Sequence, residues 1–119
     1  IIGGLVGGLA GKGVAEYIDP TDEEAYWREE HRNREYTVDD RDYDHHYRPA
    51  YQYGWESYQQ HNKKDDDVAS ARRFEDVEPD LRRDWESHRT DQDLTWDEAR
   101  PAAADAYNRV HERRTAGEL

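Results

Sequence analysis

Apolar positions along the chain fall into three unlike arrangements. In "IIGGLVGGLAGKGV", Gly3, Gly7 and Gly11 step by four and Gly4 and Gly8 repeat that step one residue on. Leu5, Val6, Leu9, Ala10, Val14 and Ile18 fill the remaining positions. On a helix this sets a bare backbone strip beside an aliphatic ridge. Each interior glycine costs about 1 kcal/mol relative to alanine. The spacing therefore predicts a helix stabilised by close backbone approach to another helix, as small-xxx-small spacing permits. A flexible linker would carry serine rather than Leu, Val and Ile.

A second pattern begins at "IDPTDEEAYWREEHRNR". Proline suits a first helical turn, Thr21 and Glu24 have capping-box spacing, and acids precede arginines as the helix dipole favours. A helix from Pro20 to Arg34 is predicted, with a narrow apolar face at Ala25, Tyr26 and Trp27 that needs a neighbour. Tyr43, Tyr47 and Tyr51 also have helical spacing, but Pro49 removes a donor and disfavours helix at Arg48. The expectation for Arg48 to Gly54, "RPAYQYG", is extended chain pinned by aromatic rings, followed by a solvated loop from Lys63 to Asp67.

The third pattern is helical again. Phe74, Val77, Leu81 and Trp85 step by three and four, as do Trp96, Ala99, Ala103, Tyr107 and Val110, which predicts a helical hairpin. Thr95 and Glu98 form a capping box. Pro101 should either kink the last helix or begin it.

These patterns divide the chain into a glycine-zipper helix (1–18), an acidic helix with an aromatic extended segment (19–67) and a hairpin-like helical tail (68–119). The fold class expected is mainly α, with an extended tyrosine-rich middle and no self-sufficient globular core. Composition is the reason for the last point. Only fifteen of 119 residues are Leu, Ile, Val or Phe, and seven of those lie in the first eighteen. Ordering each remaining residue costs about 1 to 2 kcal/mol in backbone entropy alone. Aromatic residues must compensate, and Trp27, Tyr51, Tyr53, Trp55, Trp85 and Trp96 are the expected anchors between segments or subunits.

Net charge is -12, and the head contributes none of it because Lys12 and Glu16 cancel. An acidic surface of this kind repels nucleic acid and anionic lipid headgroups, so no nucleic-acid partner is expected. Cysteine is absent, which removes thiolate chemistry. Asp42, Asp44, His45 and His46 are the candidate metal ligands, four donors within five residues. Adjacent histidines on a strand point to opposite faces, so the competing reading is a solvated acidic loop. "GLAGKGVAE" fails as a phosphate-binding loop, since Val6 stands where the first glycine belongs and Gly13 replaces the hydroxyl residue. With no nucleophile and base arrangement recognisable, the chain is expected to be no enzyme and to need no cofactor.

The segments "IDPTDEEAYWRE", "YRPAYQYGWES" and "RRFEDVEPDL", behind a glycine-zipper head, resemble a group of short bacterial glycine-zipper proteins of unassigned function. The resemblance implies no enzyme and points to stress- or envelope-associated proteins, in the cell envelope or outside the cell. The functional expectation is a structural protein that assembles with itself into a homo-oligomer or filament, using Gly3, Gly4, Gly7, Gly8 and Gly11 for self-association while the acidic aromatic body wraps its neighbours. The alternatives are a membrane anchor formed by residues 1–18 with an acidic soluble tail, and a metal-binding module at His45 and His46. Eighteen helical residues reach about 27 Å, slightly short of a comfortable span.

Overall fold

A computed structural model describes residues 18–38, 40–62 and 67–118. The self-association glycines lie outside the described residues. Among the described residues, four α-helices carry the fold: α1 (Pro20–Glu30), α2 (Arg48–His61), α3 (Phe74–His88) and α4 (Trp96–Thr115). Among the described residues the protein is mainly helical and has no strand.

Helix α1 begins at Pro20 as predicted, but its cap is Asp19, not Thr21. The Asp19 carboxylate accepts the Thr21 N–H at 2.9 Å. Proline at the first position has no N–H to satisfy, and the carboxylate sits at the positive end of the helix dipole. The α-helix ends at Glu30, tightens to a 3₁₀ turn over His31–Asn33 and stops where Arg34 turns extended.

The extended reading of "RPAYQYG" is corrected: Arg48 to Gly54 is the first half of α2. A π turn over Tyr43–Tyr47 precedes it, in which the Asp42 carbonyl accepts from both His46 and Tyr47 N–H, and Arg48 N–H reaches back to the Tyr43 carbonyl. The widened turn moves the preceding carbonyls away from the Pro49 ring. Pro49 thus stands in the opening turn of a new helix and interrupts nothing. The 43, 47, 51 spacing survives, with Tyr43 and Tyr51 ring centroids 6.1 Å apart.

In α4 the predicted capping box is present. Thr95 Oγ1 accepts the Glu98 N–H, and Glu98 Oε1 accepts the Thr95 N–H at 2.9 Å. The helix starts at this cap and runs on through Pro101. Between α3 and α4, Trp85 Nε1–H donates to the Leu94 carbonyl at 2.7 Å and Trp96 N–H donates to Glu86 Oε2 at 2.6 Å. Consecutive though α3 and α4 are, the main interface of α4 is with α2.

Small residues meet at that interface, where Gly54 of α2 faces Ala103 and Ala106 of α4. Ala50 and Gly54 of α2 and Ala99, Ala102, Ala103 and Ala106 of α4 are all buried. A Cβ added to Gly54 would lie 2.2 Å from the Ala103 carbonyl oxygen and 2.9 Å from the Ala106 Cβ. Around this seam the core is aromatic: of the twenty buried hydrophobic residues among those described, ten are Trp, Tyr or Phe. These rings bury roughly 150 to 250 Å² each, which offsets the shortage of aliphatics. Their polar ends are held, as when Tyr53 Oη–H donates to the Leu81 carbonyl at 2.9 Å and Tyr107 Oη–H to the Arg72 carbonyl at 2.6 Å.

Candidate functional site

Three polar constellations stand on this frame. The largest runs from the end of α1 to the middle of α4. His31 Nδ1 lies 3.2 Å from Tyr51 Oη, which lies 2.9 Å from Tyr36 Oη. Tyr36 donates in turn to Asp105 Oδ2 at 2.8 Å. Because Tyr36 gives its proton to the carboxylate, Tyr51 must give its own to Tyr36, and His31 Nδ1–H donates to Tyr51. The tautomer follows from the network. Arg34 closes the group, 3.7 Å from Asp105 and over the Trp27 ring, which stacks on Tyr51 at 4.6 Å. The rings of Tyr43, Tyr47 and Tyr51 surround the His31 imidazole.

Burial sets the protonation behaviour of this group. It raises the hydroxyl pKa of Tyr36, Tyr51 and Tyr43, the last to about 12, so all three hydroxyls stay protonated at neutral pH. Burial lowers the pKa of His31, and burial followed by the Arg72 charge lowers that of His61. A depressed folded pKa means that the unfolded chain binds the proton more readily below its ordinary value of ~6.5. These histidines therefore contribute stability that is present above that value and lost as pH falls through their folded pKa. His45 has the opposite sign, raised by its hydrogen bond to Asp42. A histidine titration by NMR should place His31 and His61 below His45. A His31 midpoint at or above the ordinary value would show that the imidazole is not enclosed.

The candidate metal ligands form the second group. Both oxygens of Asp42 are taken by imidazoles, His45 Nδ1 at 2.5 Å and His46 Nδ1 at 2.7 Å. Asp44 turns instead to Arg28 at 3.2 Å. The four side chains share one π turn, where Asp42 accepts from histidines instead of converging with them on a common point. Among the described residues no group of three or more His, Asp or Glu is placed to hold a metal ion. A cleft of about 520 Å³ beside Asp44, His45 and His46 reaches across to Thr90, Gln92 and Asp93.

The third group joins α1 to α4. Glu23, fully buried, pairs with Arg109 and lies 3.3 Å from Arg113. The Arg109 guanidinium lies over the Tyr26 ring, 3.7 Å from its centroid. This accounts for a helix whose apolar face is thin: one side of α1 is fixed by charge. Sequence reasoning found none of His31, Tyr36, Asp105, Glu23 or Arg109. Their partners lie up to 90 residues apart, and no local spacing signals them.

The expected aromatic anchors are all buried. Trp27 meets Tyr51, while Tyr53 meets Trp85 at 5.2 Å and Trp96 at 6.2 Å. Trp55 lines a small cavity with Pro20, Thr21, Glu24, Arg48 and Gln52. The contacts made by these rings join segments of one chain. Among the described residues no helix is long and apolar enough to cross a membrane. In comparisons with known proteins, the chain matches no family model, no curated protein and no solved structure.

Proposed function

We propose that this chain is a non-enzymatic structural protein that associates with copies of itself through its glycine-rich head, the acidic helical body forming a soluble knob on each subunit. The observation that carries the reading is where the aromatic residues have gone. The rings expected as anchors between segments or subunits lie in the body's own core, and among the described residues Val38 is the large hydrophobic left exposed. The whole net charge of -12 lies on the body, where it makes copies repel one another. The head is uncharged overall and holds seven of the chain's fifteen large aliphatic and Phe side chains. Association therefore belongs to the head, and the body keeps assembled heads in solution instead of wrapping neighbours.

The same concentration of apolar residues favours a second reading, in which the head enters a bilayer and the body is its acidic soluble tail. Sedimentation and electron microscopy of the purified chain in detergent-free buffer, beside Leu5→Gln/Leu9→Gln, separate the two. Discrete particles or filaments in the native chain that are lost in the variant are expected. Identical particles in both would remove the head from the interface. A native chain soluble only in detergent would establish the membrane reading in its place.

A further inference from the structure

A tyrosine that gives up an electron must also give up its phenolic proton, because the oxidised ring is a far stronger acid than the ordinary hydroxyl, whose pKa is about 10. Where that proton can go therefore decides which ring holds an oxidising equivalent. Most of the buried rings have no good destination for it. Tyr53 and Tyr107 donate to the backbone carbonyls of Leu81 and Arg72, and Trp85 to that of Leu94. An amide oxygen is too weak a base to keep a proton. Trp96 donates to Glu78, but Arg100 grips that carboxylate and its hydrogen bonds hold the pKa down. Tyr58 lies 2.9 Å from His111 Nδ1, yet the Arg114 guanidinium donates to the same hydroxyl, and a cation there opposes loss of an electron.

Tyr36 differs. Among the described residues it is the tyrosine whose hydroxyl donates to a carboxylate, Asp105 Oδ2 at 2.8 Å. Asp105 is partly exposed and can pass a proton on to water. Tyr51 Oη–H donates to the Tyr36 oxygen at 2.9 Å and stays in place to hold a phenoxyl oxygen there. Tyr51 in turn lies against Trp27, ring planes 9° apart and centroids 4.6 Å apart. Trp27 is a poor resting place for positive charge on two counts. Its Nε1–H is buried with no hydrogen-bond partner, so the oxidised indole has nothing to take its proton. The Arg34 guanidinium lies over the same ring, 5.1 Å from its centroid, and repels a cation formed beneath it. An electron vacancy on Trp27 is thus driven through Tyr51 to Tyr36. The chain has no Cys and no Met, so no sulfur competes with the rings for oxidation.

We propose that Tyr36 is a redox-active tyrosine, the ring at which the helical body collects an oxidising equivalent from an outer-sphere one-electron oxidant. One electron leaves the Tyr36 ring and reduces the oxidant by one. The Tyr36 O–H bond breaks, and Asp105 Oδ2 binds the proton. The products are a neutral tyrosyl radical and a carboxylic acid whose O–H points back at the phenoxyl oxygen. The charge of the chain rises by one, and the rise falls on Asp105 instead of the ring. A one-electron reductant reverses the step, Asp105 returning the proton. The assignment concerns the body alone and does not depend on how the head associates.

The test oxidises the full chain with tris(bipyridine)ruthenium(III) generated by a light flash. The radical is identified by electron paramagnetic resonance after rapid freezing, and its formation is timed by transient absorption. A neutral tyrosyl radical is expected in the native chain and in Tyr58→Phe. It should be lost in Tyr36→Phe, which keeps the ring beside Tyr47. Asp105→Asn still offers an oxygen to the Tyr36 hydroxyl but cannot take its proton. That variant should form the radical about a hundredfold more slowly, the lower end of what a positioned proton acceptor contributes. The native signal persisting in Tyr36→Phe, or disappearing in Tyr58→Phe, would put the radical on another ring and overturn the assignment. Equal rates in Asp105→Asn and the native chain would overturn it as well, by showing that the carboxylate does not receive the proton.

Discussion

Gly54→Ala should lower the thermal midpoint of this protein by roughly 10 to 20 °C, although alanine is the better helix former. In an open helix interior the substitution would stabilise by about 1 kcal/mol. Here the new methyl would stand 2.2 Å from the Ala103 carbonyl oxygen, an atom of the α4 backbone that no side-chain rotation can move away. The helices must separate, and the packing of Ala103 and Ala106 against α2 goes with them. Overpacking of this kind costs typically 1 to 3 kcal/mol, occasionally more, and each kcal/mol is worth about 4 to 8 °C in a domain of this size. Thermal unfolding followed at 222 nm checks the result. A midpoint equal to or above that of the native chain would mean that α2 and α4 do not approach as described.

The second large effect is expected at Glu23. Glu23→Ala leaves Arg109 and Arg113 facing each other without the carboxylate between them, and burial with like-charge repulsion already lowers the Arg109 pKa. Removing one partner of a buried ion pair costs about 3 to 5 kcal/mol. The two arginines are each 20% exposed and can partly turn to water, so the lower end is expected. Replacing the trio together, Glu23→Leu/Arg109→Met/Arg113→Leu, should recover most of that loss, since an apolar set of similar volume needs no desolvation. Denaturant unfolding of the single and triple variants makes the comparison. A triple variant as unstable as Glu23→Ala would show that the charges, and not the mere absence of an unpaired one, hold α1 to α4.

Both effects lie where sequence reading was weakest, for the same physical reason. Helix periodicity, the Thr95 and Glu98 cap and the proline start of α1 were legible because they depend on residues three or four apart. Pro49 misled because its local preference was weighed without the π turn, in which two successive N–H groups, of His46 and Tyr47, donate to the Asp42 carbonyl. Gly54 carried no local sign at all. Its role is defined by Ala103 and Ala106, some fifty residues on, and alanines in a helix resemble ordinary helix formers until a second helix lies against them. The aromatic residues singled out as having to make up for missing aliphatics are buried. Their inward direction depends on tertiary neighbours, as does the ladder from His31 to Asp105, whose ends belong to different helices.

That ladder has a consequence for how the interior answers a change at the surface. Its three hydrogens all point one way, toward the Asp105 carboxylate, and none can reverse alone without leaving two donors in collision or two acceptors apart. Reversal requires Asp105 to carry a proton. Tyr36 would then accept from it, Tyr51 would accept from Tyr36, and His31 would have to offer a bare Nδ1, moving its own proton to the far nitrogen. A single protonation on the side of α4 would thus be transmitted as a flip of polarity along the whole row. It would end as a change of tautomer inside the aromatic cage, with no atom heavier than hydrogen displaced.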